Sequence, residues 1–96
     1  MLTGKQRAYL RGLANEMEPI LHVGKDGVGS NLIRQADDAL EARELIKGTV
    51  LQNSPVTARE ALDEICAAIN ADAVQTIGNR FVLYRAKKKD PVIELP

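Results

Sequence analysis

Apolar positions recur along this 96-residue chain with two periods, one helical and one alternating, and the changes between them mark its elements. Tyr9, Leu10, Leu13 and Ala14 share one face at about 100° per residue, which predicts a helix over residues 4–15. Thr3 and Gln6 form the T-x-x-Q of a capping box at its start, with Leu2 placed as a hydrophobic staple. Ile20 to Val23 is a short β-branched and apolar run, and Pro19, lacking a backbone donor, suits the position before a strand. Leu32, Ile33, Ala36, Ala39 and Leu40 return to the helical period and predict a helix over residues 31–42, which Ser30 or Asn31 can cap.

Residues 45–51 then read as a strand in which Gly48 marks a bulge or a close backbone approach, and Gln52-Asn53-Ser54-Pro55 breaks it. Thr57 and Glu60 form a second capping box ahead of the stripe Ala58, Ala61, Leu62, Ile65, Ala68 and Ile69, which predicts a third helix ending near Asn70. Residues 73–77 and 80–86 are strand-like, and Gly78-Asn79 between them has the composition of a primed hairpin turn, so they pair antiparallel. The order α-β-α-β-α-β-β implies an α/β fold: one compact domain with a mixed four-stranded sheet packed with helices. The face of Tyr9, Leu10, Leu13 and Ala14 must dock on the domain, but the pattern does not fix where.

Length and composition narrow the class. A chain of this size builds one core, here a single domain over residues 1–96 with residues 87–96 expected as a flexible tail. No apolar run approaches a membrane span and no signal-peptide pattern opens the chain, so the expectation is a cytoplasmic, monomeric protein with no membrane partner. Cys66 has no second cysteine to pair with, and one histidine offers no ligand set for structural zinc; no metal or cofactor is expected. His22 lacks a visible catalytic partner, and Glu60, Asp63 and Glu64 read as solubilising acids, which argues against an enzyme.

Net charge is zero but segregated: residues 1–34 carry +2, residues 35–72 carry −5 and residues 73–96 carry +3. Basic ends around an acidic middle would polarise the surface if the ends meet in space. Arg7 and Arg11 stand four apart on a flank of the first helix, with Lys5 projecting roughly opposite Arg7; they either grip phosphates or simply solubilise the helix. Arg34 either meets a ligand or is held by Asp38 four residues on. Lys87, Lys88 and Lys89 are phosphate-seeking or merely solvated.

The stretch with most chemical content is Gly24-Lys25-Asp26-Gly27, which carries the chain from the first strand into the second helix. Glycine permits positive φ and close approach of another backbone, and a helix start offers unpaired N–H groups with partial positive charge. The order G-x-x-G-x-G is not the dinucleotide fingerprint, and no Gly-Lys-Ser/Thr follows as a P-loop requires. What fits is either a plain strand-to-helix turn or the G-x-x-G loop that clamps nucleic-acid backbone in KH-type modules.

Five blocks together decide between these: Leu2-Thr3-Gly4-Lys5-Gln6, Val23-Gly24-Lys25-Asp26-Gly27-Val28, Ala39 to Lys47, Val74-Gln75-Thr76-Ile77-Gly78 and Val82-Leu83-Tyr84. In order and spacing they resemble the CRM domain in its stand-alone bacterial YhbY/YqeI form. The resemblance implies an RNA-binding, non-enzymatic domain related in fold to the C-terminal domain of a bacterial translation initiation factor. It further implies association with ribosomal RNA in precursors of the large ribosomal subunit. Carried over by position, its G-x-x-G falls on Gly24, Lys25, Asp26 and Gly27, and its basic first helix on Lys5, Arg7 and Arg11. Asp26 departs from a loop expected to meet phosphate, and serves as a helix cap or as a hydrogen-bonding group for a ribose or base edge. Gly48 departs where a larger apolar residue is expected. With Tyr9 placed on the buried face, few aromatics remain for stacking, so modest sequence specificity is expected. The alternative is an adaptor that binds a ribosomal protein or assembly factor through its acidic face.

Overall fold

The computed structural model describes residues 1–96 as α1 (Gly4–Ala14), β1 (Leu21–Val23), α2 (Ser30–Arg43), β2 (Leu45–Val50), α3 (Ala58–Ile69), β3 (Asp72–Ile77) and β4 (Arg80–Tyr84). Both capping boxes form. Thr3 Oγ1 accepts from the Gln6 N–H at 3.1 Å while Gln6 Oε1 accepts from the Thr3 N–H at 3.0 Å, and Thr57 with Glu60 repeats the exchange at 3.1 and 2.9 Å. Asn70 ends α3 in the left-handed region at φ 55°, a conformation asparagine tolerates.

The strands lie in the order β1-β2-β4-β3, with β1 parallel to β2 and the other pairs antiparallel, so the sheet is mixed. Gly78 takes φ 58° and Asn79 does not take a positive φ, the pattern of a II′ turn, in which only the first central residue needs glycine's freedom. Alternation along the strands builds two cores. Leu21, Val23, Ile46, Val50, Phe81 and Leu83 face α2 and α3, meeting Ala36, Leu40, Ala58, Ala61, Leu62 and Ile65. Leu45, Val74, Val82 and Tyr84 point to the other face, where α1 docks with Leu10 and Ala14, joined by Leu2. The domain therefore has three layers, with α1 alone on one side.

This docking corrects the expected face of α1. Tyr9 and Leu13 remain 43% and 42% exposed, while Leu10 and Ala14 are buried and Arg7 and Arg11 are half-buried beside them. The buried ridge is rotated toward Leu10 and Ala14, flanked by the half-buried Arg7 and Arg11. Arg7 Nε donates to the Ala73 carbonyl of β3 at 3.4 Å.

Gly48 serves close approach and not a bulge: a Cβ there would run into the Phe81 ring. The sheet's irregularity lies instead in β3, between Ala73 and Gln75. The cap expected at Ser30 or Asn31 does not form, since both lie within α2, whose N-cap is Gly29 without a side-chain bond. Asp26 does not supply that cap either. The Arg34 to Asp38 pair is also not made; Arg85 instead bridges Asp37 at 2.7 Å and the Ile69 carbonyl at 2.9 Å, tying α2 to the end of α3.

Glu44 is buried and holds φ 68°, a strained value for a residue with a Cβ. Its carboxylate accepts the N–H groups of Lys87, Val92 and Ile93, each at 2.8 Å. Burial pushes its pKa up, but these three donors with nearby Lys87 outweigh it and hold the carboxyl below its ordinary 4.5. The segment expected as a free tail is thus tethered, with Ile93 and Leu95 packed against the α1 core and the Pro96 carbonyl accepting from Gln6 Nε2 at 3.2 Å.

Candidate nucleic-acid interface

Just beyond the C-terminal end of β1, the chain reverses in a tight turn. The Gly27 N–H donates to the Gly24 carbonyl at 3.0 Å, which puts Lys25 and Asp26 at the two outward positions, both exposed and neither in an ion pair. The two glycines are not equivalent. Gly27 takes φ 63° and backs onto the Pro55 ring, so a side chain there would be strained. Gly24 has no positive φ, and an added Cβ would only touch Leu51 Cδ1 at 3.8 Å and Asn53 Oδ1 at 4.0 Å. The fold needs glycine at 27 and places no such demand at 24.

Behind the turn, the connection from β2 to α3 forms its support. The Leu51 N–H donates to the Val23 carbonyl at 2.8 Å, and Ser54 closes its own turn through Oγ to the Val56 carbonyl at 2.9 Å. In front lies an open depression of about 700 Å³ lined by polar groups, among them His22, Lys25, Asp26, Ser30, Gln35 and Asn53. The start of α2 faces into it. Its first intrahelical N–H is that of Ile33, which donates to the Gly29 carbonyl, so the N–H groups of Ser30, Asn31 and Leu32 have no protein partner. No acidic side chain occupies that first turn. Of the three helices, α1 and α3 are closed by capping boxes, whereas the one that begins at the glycine loop is left open.

The basic residues are more widely placed. Arg34 is exposed on the same helix but does not line the depression. Lys5, exposed, and Arg7 lie toward the N-terminal end of α1, with Arg11 one turn further along. Arg7 is fixed at Ala73, at the start of β3, whereas the loop follows the end of β1. These are opposite edges of the sheet, and the pairing places them at opposite ends of their strands as well. Three strand spacings and four residues of rise separate Val23 from Ala73 by roughly 20 Å. The loop and Arg7 therefore occupy diagonal corners and not one cluster.

His22, Gln35 and Asn53 were not among the expected site residues. For His22 the signal is its alternation with buried Leu21 and Val23, which turns it outward beside the loop. Asn53 had no local signal, because only the fold returns the 51–57 connection to the loop. Cys66 offers no nucleophile: burial first, then Asp63 and Asp72, push its thiol up to about 11. No group of histidine, cysteine and acidic residues is arranged to hold a metal ion, and no helix is long and apolar enough to cross a membrane.

Known proteins resemble this chain in sequence and fold. The CRS1 / YhbY (CRM) domain family matches residues 2–85. The chain is 48% identical to the Probable RNA-binding protein YqeI of Bacillus subtilis, covering 100% of both. It is 34% identical to a Haemophilus influenzae protein named RNA-binding protein, covering 99% of this chain and 95% of that one. The solution structure of SAV1595 from Staphylococcus aureus aligns with a TM-score of 0.83 at 48% identity, with 100% of both chains covered.

Proposed function

The chain belongs to the CRS1/YhbY (CRM) domain family, and we propose that it is a non-enzymatic module that binds RNA through the Gly24–Gly27 loop and the open start of α2. The observation that carries this reading is the pairing of an uncapped helix N-terminus with a glycine, Gly24, that the fold itself does not require. A phosphodiester backbone can come close at Gly24, meet the unpartnered N–H groups of Ser30, Asn31 and Leu32, and be neutralised by Lys25. Asp26, exposed on the turn, hydrogen-bonds a ribose hydroxyl or a base edge in this proposal.

Relatives named as RNA-binding proteins support the ligand class. Ribosomal RNA of the assembling large subunit, met in the cytoplasm by a monomer, is the RNA that the family resemblance implies. Phe81 and Tyr84 are buried and Tyr9 sits on α1, so the loop has no aromatic stacking platform and recognition rests mainly on backbone contacts. Lys5, Arg7, Arg11 and Arg34 act as outlying phosphate contacts on an RNA long enough to reach them. The adaptor reading keeps the exposed acids Asp38, Glu60, Asp63 and Glu64, while Asp37 and Glu41 are engaged by Arg85 and Glu44 is buried under the tail.

Titration of a fluorescent single-stranded RNA tests the proposal. Lys25→Ala should weaken binding several-fold and reduce the magnitude of the log Kd against log[salt] slope by about 0.7. Unchanged affinity and slope would remove Lys25 from the interface.

A further inference from the structure

Past the end of α1, the sheet face opposite α2 and α3 is open to solvent. The row of residues across it nearest the loop is His22, Thr49, Arg80 and Ile77, one from each strand, and the next row brings Lys47, Val82 and Gln75 side by side. Asn15, at the C-terminal end of α1, walls one side and completes a cleft of about 170 Å³ lined by Asn15, Lys47, Gln75, Ile77, Arg80 and Val82. The lining holds two cations, two amides and two aliphatic side chains, and no carboxylate. Arg80 is exposed and makes no ion pair; Lys47 Nζ spends one proton on the Met17 carbonyl at 3.1 Å. Ile77, 65% exposed, is a large aliphatic group left uncovered at its rim.

We propose that this cleft is a base subsite that takes one unpaired nucleobase of the RNA held at the glycine loop, an inference that rests on the RNA-binding reading above. Ile77 gives the base its apolar contact above a floor that includes the buried Val82, Asn15 and Gln75 present donor and acceptor atoms to its edge, and the Arg80 fork either pairs with a base acceptor or holds the adjoining phosphate. Arg80 lies two strand spacings, about 10 Å, from His22 at the border of the depression, so one strand of RNA can run from loop to cleft. The excess of positive charge and the absence of acid match a nucleotide and not an acid-seeking peptide.

The test compares a fluorescent uridine octamer with the same ribose-phosphate chain lacking bases, titrated into the full protein. The wild type should bind the base-bearing chain about tenfold more tightly. Gln75→Ala with Arg80→Lys should reduce that preference to less than threefold while leaving the salt slope in place, because the charge is retained. Asn15→Ala, at an exposed position, should do the same in part and serves as the second probe should the half-buried Gln75 site disturb folding. Equal binding of the two chains by the wild type, or a preference that survives all three substitutions, overturns the subsite. Loss of binding on Lys25→Ala alongside such a result would leave the loop reading standing, whereas no binding of either chain by the wild type would overturn both.

Discussion

Gly48 of β2 and Phe81 of β4 are cross-strand partners, and the Phe81 ring fills the volume that a side chain at Gly48 would need. The missing methyl lets a wholly buried aromatic lie flat across the sheet toward α2 and α3. Gly48→Ala should therefore cost about 1–3 kcal/mol by overpacking, although alanine is no worse than glycine in a strand. In urea denaturation the double substitution with Phe81→Leu should be less destabilised than the two single costs added together. Additive costs would separate the two residues.

Glu44 carries a pH dependence whose sign follows from its depressed pKa. Its folded-state pKa lies below 4.5, so its stabilisation is present above the unfolded value and is lost as pH falls through the folded one. Glu44→Gln keeps the shape but replaces charge-assisted bonds to Lys87, Val92 and Ile93 with weaker ones, at a cost of about 2 kcal/mol near neutral pH. The gap between wild type and variant should narrow as pH drops below 4.5. Amide exchange at residues 87, 92 and 93 should quicken in the variant at pH 7; unchanged exchange would show that the carboxylate does not tether the tail.

The two loop glycines should separate folding from binding. Gly24→Ala should leave stability within about 0.5 kcal/mol, while Gly27→Ala, forced to φ 63° against Pro55, should lose about 1–2 kcal/mol. If Gly24→Ala instead lowers the melting temperature as much as Gly27→Ala, its glycine is structural and the argument from the loop fails.

The diagonal placement of the loop and Arg7 makes RNA length a variable. Arg7→Ala with Arg11→Ala should leave the salt slope of a short oligonucleotide unchanged and lower the slope magnitude for a long structured RNA by about 1–1.5. Both arginines are half-buried, so the control is the melting temperature. An equal change for both RNAs would mean that loop and helix act on the same few phosphates.

The sequence pattern was sufficient wherever a local signal had no competitor. Thr3/Gln6 and Thr57/Glu60 announce their helices through contacts three residues apart, and Gly78-Asn79 announces its turn in the same way. The G-x-x-G loop was likewise visible as a strand-to-helix turn. What remained hidden depended on distant pairs. The exposure of Tyr9 was not legible, because periodicity cannot tell which edge of an apolar stripe meets the sheet, and Arg7 lies on the edge that does. The open start of α2 was concealed by Ser30 and Asn31, good capping residues that fall one and two positions too late. The tether at Glu44 links residues more than 40 apart, and the cleft at Arg80 exists only once β4 lies between β2 and β3.

The central claim is that RNA is received at the Gly24–Gly27 loop and the start of α2. Its most direct test is an amide chemical-shift map of the isotopically labelled protein during titration with a short single-stranded RNA. The account predicts the largest shifts at Gly24, Lys25, Gly27, Ser30, Asn31 and Leu32, with little change at Glu60, Asp63 and Glu64 on the acidic side of α3. Shifts centred on α3, or none along residues 24–32 at saturating RNA, would contradict it.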